Sequence, residues 1–360
     1  MVVRQHDRSE TLVSVSLGDL FMNVPANVSK YCRSLIFIII FLLFGCTPNK
    51  LEPIGHLDIE LGTAFNTTIA DGYVYIANGF DGLVIVDVTD PERPREVSRY
   101  ETEGRLNDIA ILDDVLYLSI AGKGIISLDV TEKGSPEFIS EYSIGENTVW
   151  SWISIKDNLL LDWRRSRSML NNGRLTLFEA RDTQLIQLES LEFFIGEPLS
   201  VQDEYLFTYS PIGSHNNLQI VDLNQLKITS RHSTGQNEIV SLTFSEDKSM
   251  ALSVNVYGDG SMIYDTTNLT SPIPYDSRIE IGGPAGYVHN NLAYFINPLG
   301  GLFVYDVEDP NQPNLIATYK PQRDERWHLF DLKGDGSYIY LFDKRRGVLI
   351  FDIADVVSQK

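Results

Sequence analysis

The sequence predicts an all-β fold: a seven-bladed β-propeller of four-stranded antiparallel blades. The first observation behind this is a period. Seven short apolar strands end in an acidic residue, at Asp87, Asp129, Glu179, Asp222, Asp265, Asp306 and Asp352, in steps of 42, 50, 43, 43, 41 and 46 residues. Four short strands and their turns use about forty residues, so a repeat of this length marks a propeller blade. The second observation is a partner strand ahead of each acidic one, such as Tyr73-Val-Tyr-Ile-Ala, Val115-Leu-Tyr-Leu-Ser and Tyr338-Ile-Tyr-Leu-Phe. Hairpin punctuation such as Asp71-Gly72 and Asp113-Asp114 precedes these runs. The third is a missing piece: the chain runs out just after Asp352, before an outer strand, while residues 55–61, Gly-His-Leu-Asp-Ile-Glu-Leu, have that strand's look. An N-terminal strand that completes the last blade closes the ring and removes its open edges.

Within a copy, both alternating faces of Leu83 to Val88 are apolar. A strand of that kind must be covered on both sides, as when twisted sheets stack around an axis. After it, an Asp-Pro turn leads to a more polar outer strand, Arg95-Glu-Val-Ser-Arg-Tyr100, and Pro91, Pro94, Pro136, Pro310 and Pro313 fall where the ladder needs no N–H. The repeated carboxylate is expected to accept backbone N–H groups from the turn that follows it. The carboxylates belong to different blades, so they cannot converge on one calcium ion.

The best-preserved copies read Gly82-Leu-Val-Ile-Val-Asp87-Val-Thr-Asp-Pro91, Gly124-Ile-Ile-Ser-Leu-Asp129-Val-Thr and Gly301-Leu-Phe-Val-Tyr-Asp306-Val-Glu-Asp-Pro310. They resemble the LVIVD repeat family of bacterial and archaeal surface proteins, whose name spells residues 83 to 87. In copies three, four and five only the Gly-x-apolar-x-apolar spacing survives. The resemblance implies propeller blades and an extracytoplasmic setting, and brings no catalytic motif.

The N-terminus suggests export. Leu35 to Phe44 is an uncharged apolar run preceded by Lys30 and Arg33 and followed by Gly45-Cys46. As a helix it would rise only about 15 Å, half a bilayer core, which fits a signal peptide better than a membrane span. Leu43-Phe-Gly-Cys46 looks like a bacterial lipobox with Phe44 at an unusual position, and Met22 is a more natural start than Met1. The expected organisation is a signal peptide over residues 1–45, a lipidated Cys46, a linker over 46–54 and the propeller over 55–355. With asparagine at 49, no simple inner-membrane retention signal follows Cys46, so the outer membrane or cell surface is expected. The two cysteines, Cys32 and Cys46, both lie in or beside the signal, so the domain is expected to have neither a disulfide nor a thiolate metal site.

The formal charge of −20 disfavours nucleic acid and basic-face membrane binding, so attachment should rest on the lipid. Against that background, basic residues gather in segments expected on one face of the ring. The loops that join second to third strands, and one blade to the next, share that face. The long insertion of blade three supplies Arg164, Arg165, Arg167 and Arg174, the matching loop of blade seven Lys344, Arg345 and Arg346, and the connection into blade seven Arg323 and Arg326. Arg105 and Lys123 fall in equivalent loops of blade two. All four tryptophans, Trp150, Trp152, Trp163 and Trp327, lie in or beside those segments, with His215 and His328.

Arginine and tryptophan are favoured anchors of binding surfaces because they join apolar area to directional donors. The expected function is a membrane-anchored binding module, a monomeric ring whose channel face takes an anionic segment of a protein or polysaccharide, with no cofactor and no metal. The bland alternative is that Trp150 and Trp152, alternating with Ser151 and Ile153, pack between blades. A second functional class is a hydrolase or lyase in the same funnel with His215 and His328 as acid or base. It lacks any HExxH, Gly-x-Ser-x-Gly or paired metal spacing.

Overall fold

A computed structural model of the 360-residue chain describes residues 48–62, 64–144, 148–166, 173–181, 184–193, 198–212, 215–235, 238–255, 260–297, 301–320 and 328–358. The described chain forms seven antiparallel four-stranded sheets in sequence order, one of them carrying an extra strand. Blade one shows the plan with strands Asn66–Ala70, Tyr73–Ala77, Leu83–Asp87 and Arg95–Tyr100. In each blade the first strand is innermost, and first strands touch from blade to blade all the way round, the seventh (Leu329–Gly334) meeting the first. The seven apolar clusters among the described residues each join two neighbouring blades, so the core is a wheel of interblade layers. Burial on both sides explains why Leu83–Asp87 is apolar at every position before its terminal carboxylate.

Closure follows the expected route. Gly55–Leu57 pairs antiparallel with the last strand, Gly347–Asp352, in the register Gly55 to Ile350 and Leu57 to Val348. The pairing stops short of residue 61. Beyond it the Leu61 N–H bonds to the Lys344 carbonyl at 2.9 Å and its side chain is buried. Asn49–Lys50 also adds in parallel to the outer strand of blade six, Asn314–Tyr319, inside the stretch expected to be linker. Two residues are too few for any periodicity to announce them.

The repeated carboxylates act as turn locks. Asp87 Oδ1 accepts the Thr89 N–H at 3.0 Å and its hydroxyl at 2.6 Å, and Asp129, Asp222, Asp265 and Asp306 each accept an N–H two residues on. Glu179 instead pairs with Arg181 at 2.7 Å. Asp352 accepts from Ala354 and thereby caps the short helix Ile353–Val357. Among the described residues no helix is long and apolar enough to cross a membrane.

Candidate binding face

Because first strands are innermost, residues at their starts gather around the axis at one end of the ring, its mouth, on the face shared by blade-to-blade connections and second-to-third-strand turns. Phe65 precedes the first strand of blade one, Arg105 precedes that of blade two (Leu106–Leu112), and Trp150 and Phe330 lie early in those of blades three (Thr148–Lys156) and seven. Lys344 occupies the turn between Tyr338–Asp343 and Gly347–Asp352. These side chains form one arc across four blades. The Arg105 guanidinium carbon lies 4.9 Å from the Phe65 ring centre and 4.7 Å from that of Trp150. The Lys344 ammonium lies 5.4 Å from the same Phe65 ring and 5.9 Å from Phe330. Such contacts hold a cation over a ring's electron-rich face.

Polar contacts fix Arg105 further. Its Nε donates to Asn107 Oδ1 at 2.8 Å and its Nη2 to the Val149 carbonyl at 2.9 Å. Asn107 Nδ2 donates to Ser151 Oγ, which also accepts from Ser119 Oγ at 2.7 Å, and Arg164 Nη2 donates to Ser119 Oγ at 3.1 Å. Arg164 in turn forks onto Asp162 at 2.8 and 3.0 Å. A continuous chain of hydrogen bonds thus runs from the mouth into the layer between blades two and three. Beside it, Asp108 joins three blades: it accepts Asn66 Nδ2 at 2.5 Å, the Ile153 N–H at 2.9 Å and its neighbour Ile109 N–H at 2.8 Å. Burial pushes its carboxyl up to about 7, against the pull of those donors.

The unusual feature of the arc is its charge. Elsewhere in the described chain several basic groups have acid partners: Arg95 with Asp87, Arg99 with Glu96, Lys123 with Glu103 and Glu141, Lys133 with Asp114, and Lys248 with Asp203. Arg105 and Lys344 are half-buried and have no carboxylate partner among the described residues. Burial draws the Arg105 guanidinium below its usual pKa, with no acid among the described residues to oppose it. A desolvated cation without a counter-charge is unfavourable unless something else meets it.

The structure reassigns several residues expected on this face. Arg164 is not on a loop: it sits in the second strand of blade three, Leu159–Ser166, 5% exposed and spent on Asp162. Trp163, 3% exposed, belongs to the core layer between blades three and four, and Trp152 packs at the edge of the same layer. The second strand of blade three runs on through Trp163 and Arg164 to Ser166, so both belong to the sheet and not to the insertion after it. Trp150 is at the mouth and 45% exposed. Arg165 is half-buried, 5.9 Å from the Trp163 ring. Arg345 is exposed and Arg346 half-buried in the turn of blade seven, where Asp343 Oδ1 accepts both their N–H groups. His328 is half-buried, and its N–H donates to Asp343 Oδ2 at 2.6 Å. Cys46, Arg167, Arg323, Arg326 and Trp327 lie outside the described residues, as does the side chain of His215. The face is mixed in sign, since Asp58, Glu60, Asp81, Glu101 and Glu103 are exposed in the same connections. Sequence reasoning missed Phe65 and Phe330. Their signal was available, an aromatic at or just before a first strand, but apolar residues there are indistinguishable from core.

Residues 61–102, which make up blade one, match the LVIVD repeat. No curated protein matches the sequence. Among solved structures the chain is similar to the computationally designed protein Ika8, at 12% identity over 80% of this chain and 83% of that one, TM-score 0.54. It is also similar to Saccharomyces cerevisiae Sqt1, at 11% identity over 85% and 99%, TM-score 0.61. The third is Kuenenia stuttgartiensis hydrazine synthase, at 12% identity over 82% and 97%, TM-score 0.60. Likeness at such identity concerns the fold alone.

Proposed function

We propose that this protein is an extracytoplasmic, lipid-anchored LVIVD-repeat propeller that binds an anionic partner, a protein or polysaccharide, at the channel mouth. One observation carries the reading: Arg105 and Lys344 are partly desolvated, bracketed by aromatic rings and unmatched by any carboxylate among the described residues of a chain with net charge −20. A guanidinium held in place before the ligand arrives, as Arg105 is, loses little entropy on binding, and charge-assisted hydrogen bonds to an anion are the strong ones. Exposed Phe65 and Trp150 supply the apolar rim that such anchors usually have. Export and anchoring rest on the apolar run Leu35 to Phe44 and on Cys46.

The full chain, titrated with poly-aspartate and with polygalacturonate by calorimetry at low salt, should bind at least one of them. The Arg105→Gln/Lys344→Gln double variant should bind about tenfold or more weakly. Equal affinity in the double variant would remove the mouth from consideration. For the anchor, Cys46→Ser should move the protein from the membrane fraction to the soluble one.

A further inference from the structure

The two cations of the arc are coupled through a single ring. The Arg105 carbon and the Lys344 ammonium lie 4.9 and 5.4 Å from the centre of Phe65, so they are no more than about 10 Å apart. The guanidinium is the more rigid of the two, because Asn107 and the Val149 carbonyl hold its Nε and Nη2 and leave Nη1 without a hydrogen bond among the described residues. The site therefore presents two positive charges within about 10 Å of each other, one oriented and one on a flexible stem.

Resting on the mouth being an anion site, we infer that its ligand is an extended peptide segment carrying carboxylates two residues apart. On a strand, side chains i and i+2 point the same way and stand about 6.6–7 Å apart, within the span the two cations can bridge. The rings favour a peptide over an acidic sugar. A pyranose stacks flat on an open aromatic face, but cations already lie over Phe65 and Trp150. What these residues leave exposed, 38% of Phe65 and 45% of Trp150, suits packing of aliphatic side chains that flank the carboxylates. Phe80, 70% exposed in the second-to-third-strand turn of blade one, adds apolar surface on the same face.

The test uses the full chain, calorimetry at low salt, and three acetylated, amidated pentapeptides: Val-Asp-Val-Asp-Val, Val-Asp-Asp-Val-Val and Val-Asp-Val-Asn-Val. Trigalacturonate serves as the sugar probe. The first peptide should bind about tenfold more tightly than the other two and than trigalacturonate. Arg105→Gln and Lys344→Gln should each reduce it to the level of the single-carboxylate peptide, in variants whose thermal unfolding confirms folding. Equal binding of the first two peptides, or tighter binding of trigalacturonate, would overturn the peptide assignment while leaving an anion site. Binding of all four probes that ignores both substitutions would overturn the anion site itself.

Discussion

Asp331 in blade seven accepts both the N–H and the hydroxyl of Thr67 in blade one, at 3.0 and 2.7 Å, across 264 residues of chain. The contact lies on the innermost strands, and Asp331 also accepts the Leu332 N–H. It does for the last interface what Asp108 does between blades one, two and three: one buried carboxylate ties backbones that the sheets themselves leave unconnected.

Asp331→Ala should therefore destabilise the protein by about 1–3 kcal/mol, because it leaves the buried Thr67 hydroxyl without an acceptor and the Thr67 N–H with Asn66 Oδ1 alone. Urea unfolding of the variant beside Asp331→Asn measures it. The asparagine keeps one acceptor oxygen, so its loss should be the smaller.

Asp108 predicts a pH dependence. Its folded pKa, about 7, stands above the ordinary 3.8, so the folded state holds this proton more tightly than the unfolded chain. Its contribution is fully present below about pH 4 and is lost as pH rises through about 7, a change on the order of 4 kcal/mol. Melting temperatures of wild type and Asp108→Asn from pH 4 to 8 should show their difference shifting across that window. A constant difference would mean the carboxyl titrates normally.

Two tryptophans should respond oppositely. Trp163→Ala empties a site in the layer between blades three and four and should cost about 3–5 kcal/mol. Trp150→Ala removes a ring that is 45% exposed and should cost about 1 kcal/mol or less while weakening anion binding. Chemical denaturation and calorimetry separate the two effects.

The closing strand is equally open to test. A Cβ on Gly55 would fall 1.8 Å from the Pro91 carbonyl oxygen, a backbone atom that cannot move alone. Gly55→Ala should lower stability by about 1–3 kcal/mol and loosen the N-terminal strand. Faster hydrogen exchange at Ile350 and Val348, its partners in the register, is the local readout.

Arg164 carries the fifth prediction. With Asp162 1% exposed, Arg164→Leu should cost about 3–5 kcal/mol because it strands a buried carboxylate. Adding Asp162→Leu to it should recover much of that loss, which thermal unfolding of the single and double variants would show.

The repeat made the blades, their order and the closure by an N-terminal strand legible, since strand burial on both faces and turn carboxylates recur at one interval; the strand expected over residues 55–61 pairs only over Gly55–Leu57. The site was legible only in part. Arg105, Lys344 and Trp150 were visible as basic and aromatic residues in face-forming segments. Arg164 and Trp163 were not separable from them, because a strand that runs on beyond its usual length looks like a loop with the same composition. Phe65 could not be distinguished from core, and Asp108 and Asp331 resembled ordinary polar residues of a strand.

By itself the sequence determined the architecture: periodic apolar strands can bury both faces only by stacking around an axis. The tertiary structure alone decided which cation is held by rings at the mouth, because the partners of Arg105, Phe65 and Trp150, lie 40 and 45 residues away in the chain and only the closed ring brings them within reach. Arg164 and Arg105 are the same residue type in neighbouring blades. One meets Asp162 in a dry layer and the other meets two rings at the mouth.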